Sequence, residues 1–192
     1  MTWRVTRLTA NDVLPLERDT VKEHLNIALT DGSQDDKLDM LIVAAKERLE
    51  RDIDRVIMSC SFRMTGPCFG NRVRIDMQPV TSVTSVRYID ADGAEQTLDS
   101  ADYRWLSDRR EIWPAIGSTF PDTYSGLPDA VTVEYTVGYG NDAGCIPRLI
   151  KQAMLLCIGK WFFDPAMESS ALHSSEQAYK NIIRNLSRET YP

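Results

Sequence analysis

The sequence predicts an α+β fold: a helical bundle core built from N- and C-terminal helices, with a small antiparallel β module inserted between them. Three observations carry this expectation. Apolar residues recur at helical spacing before residue 55 and again after residue 145. Between residues 56 and 144 the apolar spacing changes to period two, and turn residues separate the runs. The order helices, strands, helices leaves the two helical ends to share one core. The expected division is therefore 1–55 with 145–192 as helical core and C-terminal arm, and 56–144 as the inserted module.

Taken in order, residues 1–19 read as an extended arm, with Pro15 opposing a helix. Thr20-Val21-Lys22-Glu23 has the spacing of a capping box, the threonine hydroxyl capping and the glutamate reaching back. A short helix follows with Val21, Leu25 and Ala28 on one face, and Asp31-Gly32 ends it. Ser33 to Asp36 opens a second helix, its acids suited to the positive end of the helix dipole. Leu38, Leu41, Ile42, Ala45, Leu49 and Ile53 keep the 3.6-residue period, and Lys37, Lys46, Glu47, Glu50, Arg51 and Asp54 occupy the other face. Glu47 and Arg51 are a favourable i, i+4 pair.

Val73 to Met77 alternates, and Val83 to Ile89 is a β-rich run. Asp90-Ala91-Asp92-Gly93 then turns it back through Glu95 to Leu98, a hairpin signature with Asp92-Gly93 at its tip. Tyr103 to Leu106 and Glu111 to Trp113 read as another hairpin, and Ala130 to Val137 is the clearest strand. Pro114 to Pro128 is a long polar loop dotted with aromatics. Pro147 suits a first helical turn, and Leu149, Ile150, Ala153, Leu156, Cys157 and Trp161 carry a helix to Asp164-Pro165. A polar stretch, Glu168 to Ser175, leads to a last helix with Tyr179, Ile182, Ile183 and Leu186.

The chain of 192 residues is 43% hydrophobic and 26% charged, a balance that argues against wholesale disorder. No apolar run reaches the roughly 18 residues of a membrane helix, and Met1 to Arg7 has no apolar stretch behind its arginines, so neither a membrane segment nor a signal peptide is expected. The net charge is -6, a poor basis for non-specific nucleic-acid binding. Only residues 145–192 are net basic, with six basic and four acidic side chains.

Chemistry-bearing motifs are weak. Gly138-Tyr139-Gly140 with Gly144 follows a strand and precedes a helix, but the spacing is not that of a dinucleotide loop and Asp142 opposes a pyrophosphate. Asp90, Asp92, Gly93 and Glu95 lack the ligand spacing of a calcium loop. His24 and His173 stand outside any nucleophile motif, and Asp35, Asp36 and Asp39 read as a solvated helix start. Cys60, Cys68, Cys145 and Cys157 form no Cys-x-x-Cys pair. They read as reduced thiols without disulfide or zinc, Cys157 on an apolar helix face and Cys60 with Cys68 as the pair nearest one another. No catalytic residue, cofactor or metal is expected.

Several segments, in this order, resemble head–tail connector proteins of long-tailed DNA bacteriophages, also called adaptor or head-completion proteins, with relatives in phage-like gene transfer agents. They are Pro15-Leu16 with Thr20 to Ile27, Leu38 to Arg51, Pro79 to Tyr88, Asp90 to Asp99, Asp102 to Arg104, Val133 to Gly140 and Ile146 to Ala153. The resemblance spans most of residues 14–163 and is poorer over 164–192. It implies a non-enzymatic adaptor, made in the bacterial cytoplasm and found in the virion at the head–tail interface. It implies a homo-oligomeric ring, commonly of twelve subunits, between the portal protein and a tail-side stopper or tail completion protein. DNA would pass through its channel without specific binding, and no membrane is involved. The alternatives are a DNA-handling enzyme or accessory module of a phage genome, and a tail-side connector.

The resemblance also places portal contact in the C-terminal region. Lys180, Arg184 and Arg188 recur every four residues there, with Tyr179, Ile182, Ile183 and Leu186 around them, on a helix expected to be loosely tethered. Trp113, Phe120 and Tyr124, large side chains amid turn residues, are the expected contact with a neighbour or the tail.

Overall fold

The structure, a computed structural model, describes residues 2–164 and 173–188. Its helices and antiparallel sheets make an α+β fold, as the change of apolar period requires. The chain divides into two units: residues up to Asn11 with Ser59–Gly138, and Asp12–Met58 with the described residues from Tyr139 onward. The first unit holds strands β1 (Arg4–Arg7), β2 (Cys60–Gly66), β3 (Val73–Arg74), β4 (Val80–Ile89), β5 (Glu95–Thr97), β6 (Tyr103–Leu106), β7 (Glu111–Pro114) and β8 (Val131–Val137). The second holds helices α1 (Arg18–Leu25), α2 (Asp35–Ile53), α3 (Arg148–Phe163) and α4 (His173–Arg188).

In the β unit a five-stranded antiparallel sheet runs β1-β2-β8-β4-β5, beside a three-stranded sheet β3-β7-β6. Strict alternation marks the paired strands β2 and β8 of the larger sheet. Along β8, Val131, Val133, Tyr135 and Val137 are buried while Thr132, Glu134 and Thr136 face outward. The register sets Phe62 opposite Tyr135, with ring centroids 6.1 Å apart. On the outer face Glu134 accepts from Arg63 at 2.7 Å and from Arg87 at 2.9 Å. The bonds from Arg63, with the charge of both guanidiniums, hold its carboxyl below the usual glutamate range. The β4–β5 hairpin closes as expected: Gly93 takes φ 87°, its N–H donates to Asp90 O, and the Asp90 carboxylate accepts from the backbone of Asp92 and Ala94.

The N-terminal residues differ from the expected arm on the helical core. They form β1, the edge partner of β2, with Arg4 opposite Thr65 and Arg7 opposite Phe62. Thr9 fixes the far end: its hydroxyl accepts from Ser61 N, and Leu8 N donates to Ser61 O. At the near end Trp3 lies flat on Gly66, where any Cβ would fall 2.7 Å from the indole. A short Arg-Val-Thr-Arg run carries too little period to be read as a strand alone; its partner supplies the reason it is one.

In the helical unit α1 starts earlier than the capping box predicts. Val21 N donates to Glu17 O and closes the first turn ahead of Thr20, while buried Leu16 anchors the chain just before it. No side chain caps this end. The helix also ends early, because Asn26 adopts the left-handed conformation (φ 57°) and its N–H turns back to Glu23 O and Lys22 O. Ala28 therefore lies beyond the helix. Leu38, Ile42, Ala45, Leu49 and Ile53 bury the inner face of α2, and Asp54 (φ 53°) ends it. Pro147 stands at the N-cap of α3 rather than inside its first turn. The core joins these to Ile150, Ala153, Met154, Cys157 and Ile158 of α3 and to Tyr179 and Leu186 of α4. Among the described residues no helix is long and apolar enough to cross a membrane.

Candidate functional site

The residues expected at the portal lie on α4, and the structure divides them into two sets. Tyr179 and Leu186 are 3% and 2% exposed and face the core of their own unit. Ile182 and Ile183 are half-buried against it. Lys180 and Arg184 stand outward. The backbone of Arg188 is the last of the helix, and its side chain lies outside the described residues, as do residues 165–172, which include residues 168–172 of the expected tether, Glu168 to Ser175.

The docking of α4 is polar as well as apolar. Tyr179 donates to Asp52 Oδ2 at 2.6 Å, and the Arg48 guanidinium lies over the Tyr179 ring at 4.7 Å. Glu176 accepts from Lys160 Nζ at 2.8 Å and from Arg48 at 3.3 Å, with Lys180 Nζ at 4.0 Å. These cations, the Lys160 bond first, hold the Glu176 carboxyl below the usual range. Arg55, buried after α2, donates to Tyr139 Oη at 3.1 Å and to Leu186 O at 3.2 Å. Burial raises the Tyr179 hydroxyl well above its ordinary value, and the bond to Asp52 adds to it. Burial also pushes the Cys157 thiol up to about 11. From Ser175 onward α4 is therefore docked on its own unit, while most of the expected tether lies outside the described residues. A helix with this much apolar surface and charge-assisted bonds to Arg48 and Asp52 of α2, Lys160 of α3 and Arg55 just after α2 does not stay detached.

The loop from Pro114 to Pro128 divides in the same way. Trp113 Nε1 donates to Glu111 Oε2 at 2.8 Å, and Arg72 bridges to the same carboxylate at 2.8 Å while lying over the indole. Phe120 stacks on buried Phe69 at 4.5 Å, and Phe69 meets Tyr88 edge-on. Trp113 and Phe120 therefore fold back onto their own unit. Tyr124 is 43% exposed and lies against the Gly93 turn, its N–H donating to Ile89 O. The large apolar side chains this loop leaves to solvent are Ile116, 85% exposed, Tyr124 and Leu127. Sequence reasoning missed Ile116 and Leu127. The available signal was an aliphatic residue next to glycine or proline in a loop, where no strand or helix face can bury it.

The remaining motifs are structural. Gly138 takes φ 115°, and a Cβ on Gly140 would overlap Cys145, so both glycines serve a tight strand-to-helix passage. Asp142 caps the short turn that follows by accepting from Cys145 N at 3.2 Å. Asp35 pairs with buried Lys22 at 2.7 Å, and Asp39 takes a two-pronged bond from Arg18 at 2.6 and 2.7 Å. His24 lies over Gly159. Cys60 and Cys157 are buried, Cys68 is half-buried and Cys145 is exposed. Among the described residues no three His, Cys, Asp or Glu side chains converge as a metal-binding group. An open groove of about 580 Å³ between residues 13–19 and Asp142-Ala143 is lined by Leu14, Leu16, Arg18 and Asp19, without a nucleophile.

No protein-family model and no curated protein matches this chain. Solved structures do. A chain of the neck of an empty GTA particle, computed with C6 symmetry, superposes with a TM-score of 0.74 at 22% identity, over 98% of this chain and 97% of that one. A chain of the virion of a native gene transfer agent particle gives 0.72 at the same identity and coverage. A chain of the neck of a native GTA particle, computed with C12 symmetry, gives 0.71, again at 22% identity with 98% and 97% covered. This chain shares their fold from end to end.

Proposed function

We propose that this chain is a structural subunit of the neck of a phage-like particle: a head–tail connector that forms a ring between the portal and the tail-side components and extends the DNA channel. The observation that carries the reading is the near-complete mutual coverage with chains from gene transfer agent necks and virions. Two helical segments separated by a β unit recur there in full, not as a shared fragment. The ordered sequence segments quoted above point to the same class of protein. Twelve-fold assembly is the expected stoichiometry, and the virion is the expected location. A chain of net charge -6 suits a conduit in which DNA slides rather than sticks.

Within this reading the outward face of α4, with Lys180 and Arg184, meets the portal, and Ile182 and Ile183 flank it. The buried Tyr179 and Leu186 hold α4 in place and so act through position. The exposed trio Ile116, Tyr124 and Leu127 meets a neighbour or the tail-side stopper. The deciding experiment mixes purified full-length protein with its cognate portal and images the product by negative stain. A ring seated on the portal supports the proposal. Folded protein that stays off the portal at every salt concentration overturns it. Charge reversal by Lys180→Glu with Arg184→Glu should weaken seating most at low salt, because exposed charges act at long range only when unscreened.

A further inference from the structure

The five-stranded sheet ends at two exposed edges, β1 and β5, and all residues of both strands are exposed. An edge strand offers unpaired backbone N–H and C=O groups, and proteins usually blunt such edges with charge. Here the charges are sorted by sign. The β1 segment carries Arg4 and Arg7 and no acid before Asp12. Around β5, no lysine or arginine occurs between Arg87 and Arg104, while Asp90, Asp92, Glu95, Asp99 and Asp102 do. Arg87 reaches Glu95 at 3.0 Å, but its other arm is engaged by Glu134.

We infer that copies of this chain join edge to edge, β1 of one copy pairing with β5 of the next, so that the sheet continues from subunit to subunit. The inference rests on the ring reading and names the surface that would close it. Like edges repel: β1 against β1 brings four arginines together, and β5 against β5 concentrates carboxylates. Unlike edges attract. The sorting thus disfavours a two-fold pair and leaves a head-to-tail contact, the kind that propagates around a ring. Strand addition supplies affinity through the main chain, and the flanking charges supply polarity and register. The β1 edge is also set in advance. Trp3 on Gly66 and Thr9 on Ser61 fasten it at both ends, so little ordering remains to be done on pairing.

The test is cross-linking of the full-length protein with a short bismaleimide, which tolerates a one-residue difference in register. Cys68→Ser and Cys145→Ser remove the accessible native thiols, and circular dichroism verifies the fold of every variant. Chains carrying only Thr6→Cys or only Thr97→Cys should not cross-link alone, whereas their mixture should give dimers. A chain carrying both should give a ladder. Arg4→Glu with Arg7→Glu should cut the mixed cross-link at least tenfold, and adding Glu95→Arg on the other chain should restore it. Rings seen on the portal without the 6–97 cross-link would overturn the edge contact and leave the ring reading standing. A chain that neither cross-links nor oligomerises, alone or with portal, would overturn both.

Discussion

Replacing Tyr179 separates a helix that is part of the core from a helix that is free to meet a partner. Its hydroxyl donates to Asp52 at 2.6 Å, and the residue is 3% exposed. Tyr179→Phe removes only the hydroxyl. A hydrogen bond to a charged acceptor contributes about 1.5–3 kcal/mol. The Asp52 side chain is 35% exposed and still has Arg48 at 3.6 Å, so water and arginine compensate in part. The loss should fall at the low end, about 1.5 kcal/mol, or roughly 3–6 °C in the melting temperature of a chain this long. Tyr179→Ala also removes the ring from beneath Arg48 and beside Cys157, and should cost about 3–5 kcal/mol. The assay is denaturant unfolding followed by hydrogen exchange of α4 amides, because two units need not melt together. Protection should fall first in α4, with the β unit unaffected. If Tyr179→Ala leaves stability and α4 protection unchanged yet abolishes portal binding, the residue is a contact after all and the docking argument fails.

Three further outcomes are expected. Glu176 titrates below the ordinary glutamate value of 4.5 in the folded protein, so its contribution is complete above that value and fades as pH falls below it; α4 amides should lose protection on acidification before those of β8 do. Phe120→Ala should cost about 3 kcal/mol by opening the stack on Phe69, while Ile116→Ser should be neutral in unfolding and appear only in assembly assays. Gly66→Ala should drive the Trp3 indole off the sheet, shifting its fluorescence to the red and exposing β1 amides to exchange, without unfolding β2 and β8.

Elements with a long, clean period were legible. The whole inner face of α2 and the alternation of β8 follow from spacing alone, because each buries one continuous face. The limits of α1 were not legible, since a left-handed Asn26 decides its end and nothing in the composition distinguishes that residue from any other asparagine. The place of β1 was hidden for a different reason: four residues gain a strand only from the register that β2 offers. On α4 the period correctly separated an apolar from a basic face. What spacing does not say is whether an apolar face awaits a partner or already has one within the chain. Arg48, Asp52 and Arg55, more than 120 residues away in sequence from the α4 residues they bind, answer that for Tyr179 and Leu186.

The central strand of the large sheet is the last one made. β8 pairs with both β2 and β4, yet it leaves the ribosome after every other strand of the sheet, and β2, ending at Gly66, waits for a partner that begins only at Val131. The helical unit waits longer still, because α2 presents its buried face well before α3 and α4 exist to cover it. During synthesis, neither unit completes its core before residue 131 emerges. The nascent chain therefore passes through a stage with two open apolar surfaces, one in each unit. Elongation speed across residues 60–150 and chaperone supply, rather than final stability, should set how much folded protein is made.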